Sequence, residues 1–78
     1  MIQDLIDKVV IEEERGKAKW GSVDRTPIDL MIAIQEEIGE VAHAINHHEG
    51  HNRVEQEIAE VIGLLSRLYE TQSLKVEI

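Results

Sequence analysis

Seventy-eight residues, a formal charge of −8 and the absence of cysteine bound what this chain can be. The acidity argues against a general nucleic-acid-binding surface, which needs a basic stripe. Without cysteine there is no disulfide scaffold and no thiolate chemistry, and the length holds a single domain, residues 1–78, whose small core makes a partner subunit an expectation.

The first element is a predicted helix from about Asp4 to Lys19. Ile2, Leu5, Ile6, Val9 and Val10 recur at helical spacing, with Asp4 as the N-cap. Gly16 weakens its later part. This N-terminus carries Asp4 and Asp7 and lacks the basic and long apolar regions of a signal peptide. No apolar run approaches membrane-spanning length, so a soluble, cytoplasmic protein is expected. Gly21 to Arg25 reads as a loop.

The second helix has the clearest start. Thr26 caps it, Pro27 fits the first helical position and Asp29 sits near the positive end of the dipole. Leu30, Ile34, Ile38, Val41 and Ile45 form its apolar stripe, and Glu49-Gly50 stops it near His48. The third helix is expected to start at Asn52, with Glu55 as capping-box partner, and to end between Glu70 and Ser73. Its apolar stripe is Val54, Ile58, Val61, Leu65 and Leu68, and the tail from Leu74 is too short to assign. The short link between the second and third helices predicts an antiparallel hairpin. The fold class is therefore all-α: a three-helix chain that completes a four-helix-type bundle through oligomerisation.

Two Glu-x-x-Glu pairs, Glu37/Glu40 and Glu57/Glu60, carry the chemistry. On a helical wheel each pair borders the apolar stripe of its helix, and counted outward from the turn at Gly50 the pairs reach similar heights. Either pair alone is an ordinary solvated face; together they predict convergence. Two carboxylates about 5 Å apart repel by roughly 3 kcal/mol at an effective dielectric near 20. Such a group takes up protons or binds a cation. All-oxygen ligation favours Mg²⁺ or Mn²⁺ over zinc.

Gln35 to Ala44, followed by Glu57-Ile-Ala-Glu-Val-Ile62, resembles the MazG-like all-α nucleoside triphosphate pyrophosphohydrolases. Their pattern is Glu-Glu-x-x-Glu, a variable spacer, then Glu-x-x-Asp. Glu36, Glu37 and Glu40 meet its first half, and Lys19-Trp20-Gly21 resembles a further element of the family. The resemblance implies a Mg²⁺-dependent enzyme that cuts a (deoxy)nucleoside triphosphate into nucleoside monophosphate and pyrophosphate, working as a homodimer or homotetramer. Carried over by position, Glu37, Glu40, Glu57 and Glu60 are the metal ligands, and Glu36 orients or deprotonates the attacking water. Position 60 is Glu where the pattern has Asp, which keeps the charge and moves the carboxylate outward by a methylene. That departure, with the short chain, leaves open a catalytically weak or inactive helical module that dimerises and binds nucleotide. Phosphoribosyl-ATP pyrophosphohydrolase, a relative with similar acidic helices, is a third reading.

Trp20 either stacks on a nucleotide base, with Lys17, Lys19 or Arg15 contacting phosphates, or caps the small core. His43, His47, His48 and His51 include i, i+4 pairs that suit a transition metal. Histidines near a helix C-terminus are independently favoured by the dipole. Glu12-Glu13-Glu14 reads as a solvated charge run.

Overall fold

The computed structural model describes the backbone of residues 2–20 and 26–76 and the side chains of residues 2–16 and 26–72. Within these residues the chain is all-helical: α1 spans Ile2–Trp20, α2 Pro27–Asn46 and α3 His51–Val76. The expected loop at 21–25 and the residues after Val76 lie outside the described ones.

α2 begins as its sequence dictates. Thr26 is extended (φ −67°, ψ 156°), and its hydroxyl accepts from the Asp29 backbone N–H at 3.2 Å. Its C-terminus is closed by a different device from the expected one. His48, not Gly50, takes the left-handed turn that ends the helix, at φ 52°. The N–H of Glu49 then donates to the Ala44 carbonyl at 3.0 Å, and that of His48 to the Ile45 carbonyl at 3.3 Å. This is the paired 6→1 and 5→2 pattern of a Schellman ending. Gly50 follows at φ 97°.

Three boundaries differ from expectation. α1 starts at Ile2, which moves Asp4 from the cap into the first turn, and it runs through Gly16 without a break. α3 starts at His51, so Asn52 lies inside the helix; the Val54 N–H bonds to the Gly50 carbonyl at 3.2 Å. Glu55 does not reach back as a capping partner because its carboxylate pairs with Lys8 of α1 at 2.5 Å. α3 also continues to Val76, since no Gly or Pro after Gly63 interrupts it.

α3 is the shared element. It packs against both α1 and α2, whereas α1 and α2 do not pack on each other among the described residues. The buried core is small: Leu30, Ile34 and Ala44 from α2 against Ala59 from α3. Part of each apolar stripe stays open. Ile38 and Ile45 are about half exposed, Ile58 and Leu65 remain accessible, and of the α1 stripe only Val9 is not exposed. Leu30 and Glu57 are the largest side chains wholly removed from solvent. No described helix is long and apolar enough to cross a membrane.

Candidate metal centre

Glu57 is a glutamate at a core position, 2% exposed. One turn further along α3 comes Glu60, and Glu37 approaches from α2. Each of the three offers a carboxylate oxygen, and these oxygens all lie within 4.8 Å of one another.

Glu40 does not join them; it is exposed. The helical wheel explains the difference. Glu37 falls within the arc defined by Leu30, Ile34 and Ala44, and Glu40 is turned roughly 60° from Glu37 towards solvent. Glu36 is turned further still, about 100° from Glu37, and is exposed at the lip of a cleft. The expected four-carboxylate convergence is thus a three-carboxylate one, with Glu40 adding only its charge in the neighbourhood of Glu37.

Electrostatics sharpen the picture. Burial pushes the Glu37, Glu57 and Glu60 carboxyls up, and repulsion from the neighbouring carboxylates adds to it. One cation opposes this. Arg53, one turn before Glu57, forms an ion pair with it, Nη2 to Oε1 at 2.7 Å, and reaches Glu49 at 3.8 Å on its other side. Oε2 of Glu57 and Oε2 of Glu37 are buried without any hydrogen-bond partner. A buried carboxylate oxygen left unpaired is costly. Two of them lie in one group of three that could hold a metal ion, and all-oxygen ligation suits Mg²⁺ or Mn²⁺.

Glu37 and Glu60, but not the buried Glu57, line a cleft of about 470 Å³, together with Glu12, Arg15, Glu36 and Arg67 among others. Two of these, Glu12 and Arg67, were not singled out by their sequence context. Glu12 is not part of a solvated run. Its side chain is 10% exposed and holds Arg15 at 3.1 Å, and burial together with the nearby Glu60 charge pushes its carboxyl up. The cause is the close approach of α1 to α3 at Gly63, where the Glu13 side chain lies over the bare backbone.

The remaining candidates sit elsewhere. The side chains of Lys17, Lys19 and Trp20 lie outside the described residues. His43 and His47 stack at 4.1 Å between ring centroids on the exposed end of α2, with His43 Nε2 3.3 Å from Glu49. Neither lines the cleft, and no histidine belongs to the carboxylate group.

No family model, curated protein or solved structure matches this chain. The functional reading rests on the carboxylates themselves.

Proposed function

We propose that this chain is a Mg²⁺-dependent nucleotide pyrophosphohydrolase of the MazG-like kind. It cleaves a (deoxy)nucleoside triphosphate to nucleoside monophosphate and pyrophosphate, in the cytoplasm, as a homodimer or homotetramer. The observation that carries this is the buried, unpartnered Oε2 of Glu57, with Glu37 and Glu60 oxygens within 4.8 Å of its carboxylate.

In this reading Glu37, Glu57 and Glu60 hold the metal, and Arg53 fixes the Glu57 carboxylate so that its free oxygen faces the group. The metal, when bound, neutralises phosphate charge and lowers the pKa of a coordinated water. Glu36, at the lip of the same cleft, orients the attacking water or takes its proton. The bond that breaks joins the α-phosphorus to the oxygen bridging to the β-phosphorus, and pyrophosphate leaves. Lys17, Lys19 and Trp20 remain candidates for the substrate on the strength of the resemblance alone.

Assembly is supported by what the chain leaves uncovered. α2 exposes Ile28, Met31, Ile32, Ile38 and Ile45, on the flank away from Leu30 and Ala44. So much exposed apolar surface on so small a core is what a subunit interface covers. An antiparallel α2–α3 hairpin meeting its counterpart in a second copy completes a four-helix-type bundle.

The position of Glu40 favours one rival reading. With that carboxylate exposed, the ligand set is one short of the family's four, which suits a weak or inactive module that binds nucleotide without turning it over. Pyrophosphate release across a panel of nucleoside triphosphates, with and without Mg²⁺, separates the two. The enzyme reading expects Mg²⁺-dependent release that Glu57→Gln abolishes and that Tyr69→Phe, at an exposed residue outside the cleft, leaves intact. Nucleotide binding without turnover at any Mg²⁺ concentration gives the module.

A further inference from the structure

Arg67 stands out in a chain with a net charge of −8. It is half-buried in the wall of the cleft, yet it pairs with no carboxylate among the described residues. It lies seven residues beyond Glu60, which places it on nearly the same face of α3 and roughly 10 Å further along the axis. Between them α3 contributes Gly63, over which the Glu13 side chain of α1 lies, and Leu64. Gly63 has no side chain, and Ala33 of α2 and Gly16 of α1 are the small residues that line the cleft with it. A second guanidinium, Arg15, enters from α1 and is held at 3.1 Å by Glu12. The cleft is therefore polarised: Glu37, whose Oε2 has no hydrogen-bond partner, and Glu60 line one end, and a guanidinium with no ion-pair partner among the described residues lines the other.

We propose that Arg67 is the principal phosphate-binding residue of this cleft, with Arg15 as an auxiliary contact from the opposite wall. The ligand class is a metal-bound pyrophosphate or polyphosphate group. It spans from the Glu37/Glu57/Glu60 end to Arg67, which its oxygens engage through the planar, two-pronged donor geometry of a guanidinium. Glu12 is a positioning residue that aims Arg15. This rests on the metal-centre reading above and adds the residues that take the anion.

Isothermal titration calorimetry with inorganic pyrophosphate on the full chain tests it, run with Mg²⁺ present and compared with Mg²⁺ alone. Arg67→Met keeps the aliphatic stem and removes the charge. Its expected effect is a loss of about tenfold or more in pyrophosphate affinity, with Mg²⁺ affinity unchanged. Arg67→Lys recovers part of that loss, and Arg15→Met weakens binding by a smaller factor because Arg15 is the more exposed of the two and already paired. Wild-type pyrophosphate affinity in Arg67→Met, or no pyrophosphate binding by the wild-type chain, overturns the assignment. Arg67-dependent pyrophosphate binding in a chain that binds no Mg²⁺ supports the anion site while removing the metal centre, so the two readings fail separately.

Discussion

The Arg53 guanidinium occupies one oxygen of the Glu57 carboxylate, at 2.7 Å, while the other oxygen of that carboxylate is buried with no partner. A lone ion pair would satisfy a buried glutamate poorly, since its remaining lone pairs still lack donors. This half-satisfied state is a cost of the metal-free fold. A cation coordinating the free oxygen would remove that cost and would couple binding to folding at this residue.

Glu57→Gln separates the two effects. The amide keeps the volume and abolishes the buried charge, so the metal-free variant melts no lower than the wild type once the half-exposed Arg53 turns to solvent. Mg²⁺ raises the melting temperature of the wild type and leaves that of the variant unchanged. Thermal melts with and without Mg²⁺ check both halves.

The metal-free chain is expected to gain stability on mild acidification. Glu12, Glu37, Glu57 and Glu60 all have folded-state pKa values raised above the ordinary 4.5, with burial as the largest cause. A carboxyl raised in the folded state binds its proton more tightly there than in the unfolded chain. Its favourable contribution is therefore full below the unfolded value and is lost as pH rises through the folded one. Urea unfolding at a series of pH values upward from the ordinary carboxylate range should show stability falling with pH, and saturating Mg²⁺ should flatten that slope.

Glu60→Asp brings the chain to the pattern of the pyrophosphohydrolases it resembles, and yet it should weaken metal binding. Glu60 reaches the group with its longer arm, and removing a methylene draws the carboxylate back towards α3. Weaker Mg²⁺ affinity by calorimetry is the expected result; tighter binding would mean that the helices close up around the shorter residue.

His48→Gly should stabilise the fold by about 0.5–1 kcal/mol. The left-handed conformation at φ 52° disfavours a side chain by roughly 1–2 kcal/mol, offset in part by the greater freedom of glycine in the unfolded chain. Gly50→Ala, at φ 97°, should destabilise. Denaturant midpoints measure both.

Much of this was legible in the sequence, and the limits have a physical cause. The Thr26-Pro27-Asp29 start of α2 is local chemistry, and it formed as read. The membership of Glu37, Glu57 and Glu60 in one group followed from helical spacing. What spacing could not supply was the direction of each face once three helices were packed. Glu40 and Ile38 border the stripe of α2 and fall on its open side. By spacing Glu12 is one of three solvated acids; the approach of α1 to α3 over Gly63 buries it. Arg67 carries no motif, and its significance is its place in the cleft. The left-handed residue at the end of α2 was missed because Gly50, the residue type that favours this conformation, stood two positions away.

The central claim is that Glu37, Glu57 and Glu60 form a divalent-cation site. Calorimetric titration of the metal-free chain with Mg²⁺ tests it most directly, alongside Glu57→Gln. The account predicts saturable binding by the wild-type chain and none by the variant. Equal binding by both, or binding by neither, would contradict it.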